Sequence, residues 1–306
     1  MTVRRLWGVT SLLDQGLPKP ALVYWAAQVT AARALDRRAT MNAMREEGAS
    51  RAEFLKFLTD ARFEKSGAAK ERGSALHAAA EAMALGHDAD VAPEIQPYAE
   101  QYARFLAEHR PRFLMAEAPV YNATLGYAGT LDAIVELPAL PDLGPMILDA
   151  KTSDKPADAK STPPYPDIAI QLALYKRADL VGLAPATHRK QDGSRYYAFD
   201  PELEYAPMPE TADVALALAV FPDRYTLTPV RVDEEVWQAA LAVRDVAHWT
   251  TNVAQRVFGP PFDPPSAAGI RVAPAAASPK VARPLDELEE QSLSTERTSD
   301  GNASHH

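Results

Sequence analysis

Asp149 and Lys151 are the residues of this chain whose types and spacing most directly suggest chemistry. They follow the apolar run Met146-Ile147-Leu148, which is typical of a buried strand. Side chains of a strand alternate between its two faces, so Asp149 and Lys151 project from the same face while Ala150 points the other way. We therefore expect a carboxylate and an ammonium group to share one pocket.

Asp132 supplies a second carboxylate from another predicted strand, residues 129–137. The loop 138–145 that follows is rich in proline and glycine, which lets the two strands pair as neighbours. The two aspartates can then converge on one divalent cation. Mg²⁺ and Mn²⁺ are favoured because both prefer oxygen ligands.

A helix before the predicted sheet brings a candidate ligand of another type. Gly73, His77 and Glu81 recur every four residues and so share one helix face. His77 is thereby presented beside a glycine that permits close approach. A lone histidine, like a lone Asp-x-Lys, more often packs or pairs at the surface, so the case depends on the ordered set of motifs.

That ordered set resembles the RecB-like branch of the PD-(D/E)XK nuclease superfamily. The motifs are the helix around His77, Glu117, Gly129-Thr130-Leu131-Asp132, Asp149-Ala150-Lys151-Thr152 and Gln171-Leu172-Ala173-Leu174-Tyr175. The segments 7–13 and 19–26 also look like the N-terminal helical region of phage-type exonucleases in this branch. The resemblance spans roughly residues 5–255.

The resemblance implies a metal-dependent deoxyribonuclease that hydrolyses phosphodiesters with Mg²⁺ or Mn²⁺. His77, Asp132 and Asp149 match the metal-ligand positions, and the Ala150 carbonyl matches the backbone ligand. Lys151 matches the catalytic lysine. By analogy the enzyme is an exonuclease acting in recombination, repair or phage DNA processing. Whether the site binds one cation or two is left open by the resemblance.

Further positions follow from the same resemblance. Gln171 and Tyr175 match a helix that lies against the active site and helps to hold DNA or the lysine, and Thr152 joins them as a substrate contact. Glu117 and Glu81 are secondary positions. An exposed charge on a helix is a slightly better interpretation of Glu81 than a position in the site.

Composition limits the cofactors and partners. The 306 residues include no cysteine, which excludes disulfides, thiolate zinc sites and an iron–sulfur cluster held by cysteines. No Gly-x-x-x-x-Gly-Lys-Ser/Thr loop is present, so ATP-driven unwinding would need a partner. A net charge of −9 counts against nonspecific coating of nucleic acid but leaves room for a local basic groove. Neither a membrane span nor a secretory signal is indicated, which predicts a cytoplasmic protein.

The predicted fold class is α/β (α+β), with a restriction-endonuclease-like core in which helices flank a mixed central sheet. We expect an N-terminal helical region at 1–110, the nuclease core at 111–258 and a disordered acidic tail rich in Pro, Ala and Ser at 259–306. Helices are predicted at 20–37, 51–64, 69–85, 93–109, 167–181 and 233–257, and strands at 113–123, 129–137, 146–150, 214–220 and 224–232. In the N-terminal helical region, breaks are predicted at Gly16-Leu17-Pro18, Gly48, Gly67 and Gly86.

Two other functions stay open from the residues alone. The same fold could hold DNA or a partner without cutting, with the acidic segment 285–293 recruiting a helicase, a recombinase or a single-strand-binding protein. Lys151 could instead form a Schiff base with a small molecule, but that explains neither His77 nor the two aspartates. The basic and aromatic segment 188–197 surrounds an Asp-Gly turn and could contact phosphate or form a solvated hairpin.

Overall fold

A mixed sheet of ten strands runs through the part of the chain that the computed structural model describes, residues 3–156, 163–182, 187–189 and 195–259. The strands are β1 (Arg4–Gly8), β2 (Arg112–Asn122), β3 (Tyr127–Glu136), β4 (Met146–Thr152), β5 (Leu180–Gly182), β6 (Thr187–Arg189), β7 (Arg195–Phe199), β8 (Tyr205–Pro207), β9 (Val214–Val220) and β10 (Tyr225–Arg231). Their order is β10-β9-β4-β3-β1-β7-β6, while β2 pairs with β3 and β5, and β5 with β8.

Seven α-helices accompany these strands in the described residues. They are α1 (Val9–Gly16), α2 (Pro20–Asp36), α3 (Arg38–Glu46), α4 (Arg51–Ala84), α5 (Gln96–His109), α6 (Asp167–Lys176) and α7 (Glu234–His248). The predicted class, mixed α/β with helices around a mixed sheet, is confirmed at this level. Contacts group the residues up to Val257 into one unit that contains all of these elements.

The helices cover both faces of the sheet and so build two apolar cores. On one face, α1, α6 and α7 bury residues such as Leu172 against Ile147 of β4. On the other face, α4 and α5 bury Leu76 and Phe105 against Leu148 of β4. Burial of apolar area stabilises each layer by about 25 cal/mol per Å². Because strand side chains alternate, Asp149 follows Ile147 onto the α6 face.

The start of the chain differs from the helical prediction, because residues 4–8 form β1. This strand pairs in parallel with β3, at Trp7 opposite Tyr127, and antiparallel with β7. Leu6 is its one fully buried side chain. Five residues with one buried position are too short to display a period of two, so the pattern gave no strand signal.

Helix α4 is one helix of 34 residues where the sequence predicted a break at Gly67. A capping box fixes its start: the Glu53 amide donates to the Ser50 hydroxyl, and the Ser50 amide donates to the Glu53 carboxylate. Glycine inside a helix costs only about 1 kcal/mol relative to alanine, which the good helix formers around it offset. The predicted breaks at Gly48 and Gly86 are confirmed, and both residues have a positive φ.

Two helices are shorter than predicted. Helix α6 ends at Lys176 and the chain turns into β5, since the amide of Asp179 donates to the Tyr121 carbonyl of β2 at 2.7 Å. In the sequence, the apolar Val181 is compatible with a continued apolar face of the helix. The end of α6 at Lys176 was therefore not recognised. Helix α7 ends at His248 and is followed by a π turn and a 3₁₀ turn.

The hairpin of β9 and β10 is confirmed, with bounds close to those predicted. The segment 188–197 is also a hairpin, because β6 and β7 pair antiparallel; its turn lies outside the described residues. The predicted disordered tail likewise lies outside them, apart from Gly259. Across the described chain, no helix combines the length and the apolar character that a membrane crossing requires.

Gly16 tests the packing of α1 against α7. A Cβ atom there would lie 2.2 Å from the Val243 carbonyl oxygen and 2.7 Å from Val243 Cγ1. Gly16→Ala should therefore lower the free energy of unfolding by about 1–3 kcal/mol, the usual cost of overpacking. Gly67→Ala is the control: nothing lies within 4 Å of its Cβ position, so it should raise stability by about 0.5–1 kcal/mol. Urea unfolding measures both, and equal effects would contradict this packing.

Candidate metal centre

Strands β3 and β4 separate where the two aspartates would face each other. Their ladder ends with Ala133 opposite Leu148. Two residues further along β4, the amide of Ala150 donates to the carboxylate Oδ2 of Asp132 at 2.7 Å instead of to a β3 carbonyl. On its other edge β4 stays paired with β9 as far as Thr152. The gap between the strands is therefore bordered by polar side chains.

Asp149 lies at the bottom of this gap with only 1% of its side chain exposed. Gln171 of α6 donates through Nε2 to Asp149 Oδ1 at 2.8 Å, and Lys151 Nζ lies 2.5 Å from Asp149 Oδ2. The Lys151 side chain is 41% exposed, so it extends from the buried carboxylate towards solvent. The structure thus brings Asp149, Lys151 and Gln171 together.

Tyr175 reaches the same place from the next turn of α6. Gln171 Nε2 also donates to the Tyr175 hydroxyl, at 3.3 Å, and the buried tyrosine ring lies against Gly129. A Cβ atom on Gly129 would come within 2.6 Å of the ring. Glycine at this position therefore lets α6 approach β3 closely enough for Gln171 to reach Asp149.

His77 enters from α4, on the opposite face of the sheet from α6. Its Nδ1 lies 3.1 Å from Glu117 Oε1 and 3.6 Å from Asp132 Oδ1. The ligand atoms of these three residues all lie within 4.8 Å of one another, a spacing that one metal ion could bridge. Asp149 does not belong to this group, because its two oxygens face Lys151 and Gln171.

Glu117 adopts a backbone conformation that is unusual for its residue type. Its φ is +46°, in the left-handed region, although it lies within β2 and is not glycine. Such a conformation costs on the order of 1 kcal/mol or more and persists where surrounding structure imposes it, often at functional sites. The paired residues on either side, Ala116 with Ala133 and Ala118 with Leu131, place Glu117 level with Asp132.

The charges at the centre depend on burial and on each other. Burial raises the pKa of Asp149 to about 6 and also raises the pKa of Asp132. Burial alone would lower the pKa of His77, but the hydrogen bond to Glu117 and the charges of Asp132 and Glu117 outweigh it and raise that pKa to about 9. The carboxylates likewise raise the pKa of Lys151 against its burial. This is a pocket whose acidic groups favour cations.

The remaining predicted residues lie around this centre. Thr152 follows Ala150 onto the α4 face and lies beside Gly73, where a Cβ atom would be 3.8 Å from the Thr152 hydroxyl oxygen. Glu81 is exposed one turn of α4 beyond His77 and lies outside the three-residue group. The Ala150 side chain is buried between β4 and α4.

A basic rim that the sequence analysis missed lies beyond the end of β4. Arg72 of α4 pairs with Asp154 at 3.5 Å and lies over the ring of Tyr98. Lys155 Nζ donates to the Tyr165 hydroxyl at 2.6 Å, and Arg224 Nη2 lies 3.5 Å from the Lys155 carbonyl oxygen. The one sequence signal was the position of Arg72, directly before Gly73.

Comparison of the chain with protein-family models and with curated protein sequences gives no match. The interpretation of this centre therefore depends on its own geometry and on the motifs of the sequence.

The raised pKa of His77 predicts how stability of the metal-free protein changes with pH. Because the folded-state pKa of about 9 exceeds the ordinary 6.5, folded protein keeps a proton that unfolded protein has released between these values. This contribution is fully present below pH 6.5 and is lost as pH rises through 9. Its slope reaches at most about 1.4 kcal/mol per pH unit, the value for one proton.

Urea unfolding in EDTA between pH 6 and 9.5 measures this effect. His77→Gln should remove the downward slope, whereas His87→Gln, at an exposed position after α4, should retain it. An unchanged slope in the His77 variant would show that another group carries the dependence.

Proposed function

We propose that the protein is a Mg²⁺- or Mn²⁺-dependent deoxyribonuclease of the RecB-like exonuclease type, with a restriction-endonuclease-like core around β3 and β4. The observation that carries the proposal is the convergence of the buried Asp149, the largely buried Asp132, a histidine and a lysine where these strands diverge. His77, Asp132 and Lys151 come from three separate elements, so their meeting is not a consequence of sequence proximity.

The donor set suits a hard divalent cation. The resemblance implies His77, Asp132, Asp149 and the Ala150 carbonyl as ligands, all of them suitable for such an ion. Because the oxygens of Asp149 face Gln171 and Lys151, His77 and Asp132 are better placed to hold the cation directly, and Asp149 borders the site. When bound, such a cation supplies Lewis acidity and lowers the pKa of a water molecule. The burial of both carboxylates supports this role, because removing carboxylates from water is costly unless cations compensate their charge.

Lys151 has the geometry of a group that acts on a phosphate. Its ammonium is anchored on Asp149, and its side chain is partly exposed, so a phosphodiester in the gap could contact it. There it can orient the attacking water and neutralise charge that develops on the phosphate oxygens. Gln171 holds Asp149 from the opposite side, which fixes the carboxylate that positions the lysine.

The distribution of charge supports a polyanionic substrate. The whole chain carries −9, yet residues 19–72 contain eleven Lys and Arg against seven Asp and Glu. This segment runs from the start of α2 to Arg72, where the basic rim begins. An excess of basic residues in this segment, together with the basic rim beyond β4, suits the negative charge of a phosphodiester backbone.

The Schiff-base alternative does not fit the surroundings of Lys151. An amine nucleophile needs a lowered pKa so that it is neutral near pH 7. Here the charges of Asp149 and Asp132 raise the pKa of Lys151 despite its burial. The lysine is therefore held in its charged form.

Degradation of end-labelled linear DNA and closed circular DNA, with Mg²⁺, Mn²⁺ or EDTA, tests the proposal. Wild-type protein should digest linear DNA only with a cation. Asp149→Asn and Lys151→Ala should each reduce the rate by at least about 100-fold, as expected when a group that stabilises the transition state is removed.

Asp142→Asn is the matched control, because this exposed aspartate lies in the turn between β3 and β4, outside the centre. It should retain full activity. Thermal unfolding checks that all variants are folded. Cleavage retained by both folded centre variants would refute the assignment, and cleavage of circles would make the enzyme endonucleolytic.

A further inference from the structure

We propose that Glu117 is a direct ligand of the divalent cation, sharing it with His77 and Asp132. This inference rests on the proposed function for the presence of a cation. It goes beyond it because the family pattern assigns the ligands to His77, Asp132 and Asp149, with Glu117 only secondary.

The spacing of the three side chains matches neighbouring ligands of one ion. Mg²⁺ binds its ligands at about 2.0–2.1 Å in an octahedron, so adjacent ligand atoms lie about 3 Å apart. Glu117 Oε1 lies 3.1 Å and Asp132 Oδ1 lies 3.6 Å from His77 Nδ1, so both carboxylates face the same ring nitrogen. A cation among them needs only small side-chain adjustments.

Glu117 is better placed for this role than Asp149. The two oxygens of Asp149 are occupied by Gln171 and Lys151, and its side chain is almost fully buried. Glu117 has no cationic side chain beside it other than His77 among the described residues, and 27% of its side chain is exposed. Its carboxylate is therefore open to an ion arriving from solvent.

The unusual backbone conformation of Glu117 indicates that its carboxylate has a function. At φ +46° glycine would be the least strained residue, and the strand would be more stable with it. A glutamate kept in this conformation directs its side chain to His77, at a cost to stability. Strain of this kind is found where a side chain must be held for function.

The contact with His77 alone does not explain why residue 117 is a glutamate. If Glu117 only oriented the imidazole, Glu117→Gln would largely replace it, because the glutamine carbonyl still accepts a hydrogen bond from Nδ1–H, although a weaker one. A ligand of the cation would be replaced only poorly, since the neutral amide oxygen lacks the charge that strengthens binding of a hard cation. The two roles therefore separate in one variant.

Mn²⁺ binding to the full-length protein without DNA, followed by the electron paramagnetic resonance signal of the free ion, makes the test. Wild-type protein should bind Mn²⁺, and Glu117→Gln should bind it more than about 100-fold more weakly, beyond the 10–100-fold that the loss of a residue supporting a ligand costs. Glu136→Gln is the control, because this carboxylate lies on β3 four residues from Asp132 and pairs with Arg112 at the surface. It should bind like wild type.

Glu117→Gly separates ligation from folding. Relief of the positive φ should keep or raise its melting temperature in EDTA, while its Mn²⁺ affinity falls as in Glu117→Gln. Wild-type affinity in both folded Glu117 variants would overturn this inference and leave the proposed function intact. A folded wild-type protein that binds no Mn²⁺ would overturn both.

Discussion

The separation of β3 from β4 is the constraint on which the site depends. A regular antiparallel ladder would place Asp132 and Asp149 opposite each other and give the amide of Ala150 a backbone acceptor. Instead the Asp132 carboxylate takes that amide, which satisfies a buried donor while the strands diverge. The Asp132 side chain thus ends the pairing of β3 with β4 and also lines the gap between them. The pocket forms because the pairing ends there.

The layered fold supplies the remaining groups from opposite directions. Helix α6 brings Gln171 to Asp149 across one face, and helix α4 brings His77 to Asp132 from the other. Each helix is held against the sheet by its own apolar core. This division matters because burial opposes ionisation of both aspartates, and the two cores must offset that cost.

Features with a repeating pattern could be predicted from the sequence. The alternation in β4 placed Asp149 and Lys151 on one face, and the four-residue spacing placed His77 on a helix beside Gly73. The turn chemistry also identified the hairpin of β9 and β10. These features depend on period or on local turns, which a single sequence displays directly.

What could not be predicted depends on contacts between distant residues. The positive φ of Glu117 is imposed by its neighbours in the folded sheet and has no local signal. The short strand β1 gains its identity from β3 and β7, far along the chain. The unbroken helix α4 is held across Gly67 by residues on both sides, although glycine alone indicated an end.

The unbroken course of α4 also has a mechanical meaning. At 1.5 Å per residue, His77 lies about 39 Å along the axis from Arg51, and the first half of this rod carries α2 against it through the Arg33–Glu64 ion pair. The helix has no break between the part that packs against α2 and the part that carries the imidazole, so both are held by one continuous element.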